Sequence, residues 1–150
     1  MVASGAQIKH PCELYEVMIE GWIERESGWI NKAALREISE RLAVDVHVNR
    51  EARGMERVPR DELPVLAKQW GLHLEDWQIR GRSLLNRDAA GNYKFAHRSI
   101  MEYMFVRRLV AGDERCYNLT LTDQMVAFLD QLLPRPVLLQ QPLANLQFRA

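Results

Sequence analysis

RSLLNRDAAGNYKFAHRSIMEYMFVRRL (Arg82–Leu109) carries, in order, a short apolar run, a turn, an alternating strand, a lone histidine and a helix with almost no polar face. Asp88, Gly91 and Asn92 are turn formers, so the spacing predicts a hairpin with strands at Ser83–Asn86 and Tyr93–Ala96. Arg98 or Ser99 then opens a helix that runs to about Ala111. Ile100, Met101, Tyr103, Met104, Phe105, Val106 and Leu109 surround its axis, and a helix apolar all round is a buried one. This order puts His97 directly ahead of a helix N-terminus, where peptide N–H groups point outward and the dipole favours negative charge.

Two readings of His97 stand. A strand-end histidine bonded to backbone is the commoner case. The sharper reading is a phosphate contact, since even a neutral imidazole carries one N–H to offer an anion. Two residues on, Ser99-Ile100-Met101-Glu102 matches a capping box, in which the Ser99 hydroxyl accepts from the Glu102 amide and the Glu102 carboxylate from the Ser99 amide. A rival job for Glu102 is a pair with Arg98 one turn away.

Working upstream, Glu13 to about Glu26 reads as a helix, with Leu14, Val17, Met18, Trp22 and Ile23 as its apolar stripe, widened by Tyr15 and Ile19. Ser27 and Gly28 end it. Asn31 is placed to cap a second helix, Lys32 to about His47, whose stripe is Leu35, Ile38, Leu42 and Val46 and whose wet side pairs Glu37 with Arg41. Asn49 to Arg57 reads as a helix end and a loop. Val58, held extended by Pro59, suits a short strand or link. Asp61–Trp70 is a short helix stopped by Gly71, with Pro64 in its first turn, and Leu74–Arg80 is another. Downstream, Asp123–Leu133 is a weaker helix ending at Pro134, and the tail reads as extended.

Helix, short strand, helix, helix, hairpin is the layout of a winged helix. The expected fold is therefore mainly α with a small β-hairpin wing and flanking helices. The expected organisation is a leader and connecting helix over 1–30, a winged-helix domain over 31–112, and a C-terminal helix with an extended tail over 113–150.

Composition narrows the function classes. Lys plus Arg and Asp plus Glu both number 20, and this balance argues against a nucleic-acid binder, which is usually basic. The two cysteines, Cys12 and Cys116, form no disulfide framework and suit a reducing, cytoplasmic setting as free thiols. No apolar run is long enough to span a bilayer, and MVASGAQIKHPC has no signal-peptide core. His10 and Cys12 lack the companions that zinc needs, with His47 and His73 lying near other helix ends, so no metal site is expected. Trp22, Trp29, Trp70 and Trp77 read as core or interface residues.

The ordered set Arg82-Ser83-Leu84-Leu85, Arg87-Asp88, Gly91, Tyr93, Phe95, His97, Ser99-Ile100 and Glu102-Tyr103 resembles the end of the winged-helix region in NACHT-type STAND NTPases, relatives of the NOD-like receptors. ELYEVMIEGWIERE, Glu13 to Glu26, is similar to the helix those proteins place between nucleotide domain and winged helix. The resemblance covers Glu13 to Leu109. It implies that the winged helix folds back on a neighbouring nucleotide-binding domain, with His97 contacting the ADP β-phosphate in the resting state and Phe95, Ser99, Glu102 and Tyr103 as motif positions. Val106 stands where that family often has a small residue. No G-x-x-x-x-G-K-[ST] loop occurs in the chain, so no catalytic residue and no resident cofactor are expected in it. ADP or ATP with Mg belongs, on this resemblance, to a full-length switch protein that oligomerises on activation.

Two other readings compete. One is a winged-helix nucleic-acid binder using Leu74–Arg80, where Glu75 and Asp76 repel phosphate while Arg80 and Arg82 attract it. The other is a protein-interaction module using its apolar final helix.

Overall fold

The computed structural model describes residues 11–26, 31–71 and 85–133. The leader, the end of the first helix at Ser27 and Gly28, the helix expected at Leu74–Arg80, strand residues Ser83 and Leu84, the tail from Pro134, and His10, His73, Trp29 and Trp77 lie outside them.

The described chain is mainly helical with a small two-stranded wing. The elements are α1 (Pro11–Glu26), α2 (Lys32–Val48), α3 (Arg50–Arg53), α4 (Leu63–Gln69), β1 (Leu85–Arg87), β2 (Tyr93–Phe95), α5 (Arg98–Val110), a single 3-10 turn (Glu114–Cys116) and α6 (Asp123–Leu132). The strands are antiparallel with Leu85 opposite Phe95 and Arg87 opposite Tyr93. Val58 makes a bridge to the free side of Tyr93, with both backbone bonds at 2.8 and 2.9 Å. That bridge adds a third extended segment beside the hairpin.

Local signals account for most boundaries. The Asn31 side chain accepts from the Ala34 amide at 3.1 Å, satisfying an orphan N–H of α2. Leu35, Ile38, Leu42 and Val46 are all buried, and Glu37 pairs with Arg41 at 2.8 Å on the outer face. Gly71, at φ +70°, ends α4 in a conformation that disfavours a side chain. The expected start of α4 at Asp61 is two residues early. Glu62 and Leu63 both bond back to the Pro59 carbonyl, so the chain makes a turn before the helix begins at Leu63. The 3-10 turn was not expected. Asp113 builds it by accepting from the Arg115 amide at 3.0 Å.

The core lies where α2, α5, α1 and α6 meet. Every residue from Ile100 to Val106 is buried, as the all-round apolar pattern of α5 requires. Phe128 of α6 stands edge-on to both Tyr15 and Tyr103, with ring centroids at 5.2 and 5.4 Å. On α1 the expected stripe needs correction: Val17 and Met18 are each 44% exposed, and the buried line is Cys12, Ile19, Trp22 and Ile23. The reason is Glu16. It sits on the inner side, where Arg36 of α2 grips both its oxygens at 2.7 and 2.8 Å and the Tyr103 hydroxyl donates to it at 2.6 Å. Turning the helix to seat that carboxylate carries Val17 and Met18 outward.

Candidate functional site

The ribbon-then-helix junction is assembled from the hairpin loop outward. Asp88 organises the loop. Its Oδ1 accepts from the Ala90 and Asn92 amides at 2.9 Å each, and its Oδ2 accepts from Arg57 at 2.6 Å. Gly91 closes the turn at φ +88°, with the Arg60 side chain lying against the space a Cβ would fill. Burial works to raise the Asp88 carboxyl, but the hydrogen bonds from Asn92, Arg57 and Ala90 outweigh it and hold the group below the usual carboxylate range. Arg87 lies over the Tyr93 ring, 5.1 Å from its centroid.

β2 leaves the hairpin with Phe95 buried and Ala96 half-buried, and the backbone stays extended through His97 (φ −132°, ψ 130°). His97 is exposed and occupies the N-cap position of α5. Its side chain makes no capping bond, and its carbonyl accepts from the Ile100 amide at 3.1 Å. Arg98, the first residue of α5, is tied by two bonds of 2.8 Å to both oxygens of Glu56 in the turn before Val58. The Arg98 guanidinium holds the Glu56 carboxyl below its ordinary range, against the opposing effect of burial.

The expected capping box does not form. The cap falls on His97 rather than Ser99, which places Ser99 at the second helical residue. Glu102 points inward and is buried, accepting from the Thr122 hydroxyl at 2.5 Å. The rival pairing of Arg98 with Glu102 is also displaced, by the bidentate pair with Glu56. In both cases a partner distant in sequence outbid a neighbour one turn away.

Of the five motif positions, the structure sets His97 on the surface and Ser99 half-buried beside it, while Phe95, Glu102 and Tyr103 lie in the interior. The Tyr103 hydroxyl is pushed to a higher pKa by burial and by its bond to Glu16. At Glu16 itself burial works upward, but the bonds from Arg36 and Tyr103 win, and the carboxyl stays below its ordinary value. An open cleft of about 460 Å³ runs between the 54–58 turn, β2 and the start of α5, with Arg57, Lys94, Arg98 and Glu56 among its walls. His97 stands outside its lining.

Sequence reasoning missed Glu56, Arg36 and Glu16 as organising residues. One trace was present: Arg36 and Glu40 are spaced for the i,i+4 pair they form at 2.9 Å. Both cysteine thiols are buried, and burial pushes Cys12 up to about 11 and Cys116 up to about 12, which favours the protonated thiol over the thiolate. Among the described residues no group of three or more His, Cys, Asp or Glu is placed to hold a metal ion, and no helix is long and apolar enough to cross a membrane.

Compared with protein-family models, with characterised proteins and with solved structures, the chain matches none.

Proposed function

We propose that this chain is a non-catalytic regulatory winged-helix module of a NACHT-type STAND signal-transduction NTPase, working in the cytoplasm. It senses the nucleotide held by a neighbouring domain and biases closed-to-open switching and oligomerisation. One observation carries the reading: His97 is exposed at the N-cap position of a 13-residue helix, with its side chain uncommitted to that helix. The first amides of such a helix have no intrahelical acceptor, and the dipole is positive there. An imidazole at that point adds an N–H donor to an end that already favours a phosphate group.

The surroundings support the same reading. Arg98 anchors the start of α5 to Glu56, and Arg57 anchors the hairpin loop to Asp88, so the two elements that flank His97 are both braced by ion pairs. The ADP or ATP with its Mg ion belongs to the partner domain. For the module to act as a switch, the two nucleotides must favour different domain arrangements.

The test is His97→Ala in the full-length protein that carries this module. ADP should dissociate faster and activity without stimulus should rise. Unchanged ADP retention together with unchanged resting behaviour removes the role from His97.

A further inference from the structure

Two buried polar side chains of the core close on the short stretch that leads into α6. His47, fully buried near the end of α2, bonds through Nε2 to the Thr120 carbonyl at 2.9 Å. A carbonyl only accepts, so the proton sits on Nε2 and Nδ1 is left as the unprotonated nitrogen. Nδ1 is itself buried and has no hydrogen-bond partner. The ring stands edge-on to Phe105 of α5, centroids 4.8 Å apart. Two residues beyond Thr120, the Thr122 hydroxyl donates to buried Glu102 and accepts from the Met125 amide at 3.1 Å, capping α6. The stretch from Thr120 to Thr122 is thus gripped once from α2 and once from α5.

We propose that His47 is an acid-released latch: protonation at Nδ1 loosens the 119–122 stretch and the first turn of α6 from the α2–α5 face. A proton there would be a buried charge with no acceptor in reach, against an aromatic edge. The charged groups around the ring do not rescue it. Arg50 on α3 and Arg98 on α5 are cations, and Glu56 in the 54–58 turn is already held at both oxygens by Arg98. Burial lowers the affinity of the ring for a proton, Arg50 and Arg98 add to that, and the Thr120 carbonyl and Glu56 oppose it without reversing it. With the folded-state value depressed, the latch is intact above the ordinary value of 6.5 and weakens as pH falls below it. The loosened stretch includes Leu121, which walls an apolar groove of about 390 Å³ together with Leu109, Cys116 and Leu129, so release opens that groove.

Amide hydrogen exchange on the whole chain tests this, reading protection factors over residues 120–126 at pH 7.5 and 5.5 after correction for intrinsic rates. Wild type should lose protection between the two pH values by up to about tenfold, the limit set by reading one pH unit below the ordinary value of 6.5. His47→Gln keeps an N–H for the Thr120 carbonyl but does not titrate, and its protection should stay level across the same range. An equal loss in His47→Gln, or no loss in wild type, overturns the proposal. Should the variant not fold, the ring-nitrogen spectra of wild type decide: an Nε2–H tautomer that is still neutral at pH values where protection is already falling supports the latch, and an Nδ1–H tautomer, or a ring that titrates at the ordinary value of 6.5, refutes it.

Discussion

At its first turn α5 presents Arg98 to solvent, next to the exposed His97, whereas five residues later Tyr103 is sealed against Glu16 and Arg36. The two regions belong to one helix and both use carboxylate–arginine pairs, yet they differ in what the pairs do. Arg98 and Glu56 form a surface brace, screened by water and salt, of the kind worth about 0–1 kcal/mol. Arg36, Glu16 and Tyr103 form a half-buried network joining α1, α2 and α5, where losing one member strands the others. The middle of α5 is therefore specified by stability, and its N-terminal end is free to be specified by something else. That freedom is what makes the junction a candidate site.

Several substitutions would break or sharpen this contrast. The largest effect is expected at the packed end: Phe128→Ala should destabilise the protein by about 3–5 kcal/mol in urea unfolding, because Phe128 supports two aromatic rings at once. Arg36→Met comes next, at about 2–3 kcal/mol, less than a fully buried pair because both side chains keep some solvent contact. If it proves neutral, the network is surface-like and the comparison fails.

The pH dependence follows from Glu16. Its folded-state pKa lies below the ordinary 4.5, so its contribution is fully present above that value and is lost as pH falls through the depressed one. Urea midpoints followed from pH 6 to pH 3 should fall less steeply in Glu16→Gln than in wild type. In the hairpin, Asp88→Ala removes the acceptor for two loop amides and for Arg57, and should lower the urea midpoint by less than Arg36→Met does. The smallest effect belongs to His97→Ala, within about 0.5 kcal/mol of wild type, as expected for an exposed side chain with no cap bond. A loss of 2 kcal/mol or more there would mean that His97 is a structural cap after all.

Much of the frame was legible in the sequence because it rests on local chemistry. Asn31 names the start of α2, Gly71 the end of α4, and Asp88 with Gly91 and Asn92 the hairpin loop, each through contacts spanning a few residues. The burial of α5 is legible too, since its apolar residues leave almost no polar face to turn outward. The failures share a cause. Spacing alone points to a capping box at Ser99 and Glu102, but Thr122, twenty residues on, bonds to Glu102 inside the core. Hydrophobicity alone places Val17 and Met18 in the stripe of α1, but Glu16 occupies the inner side with Arg36 and Tyr103.

Among the described residues the sequence by itself determined the four long helices and the ribbon and put His97 between β2 and α5, because propensity, caps and turns act over one or two turns of chain. Only the tertiary structure decided which polar groups go inside. Tyr103 meets Glu16 across 87 residues, and His47 meets Thr120 across 73. Periodicity carries no record of such distant partners. A buried polar group is tolerated only where a partner completes its hydrogen bonds, and that partner is chosen by how the helices pack.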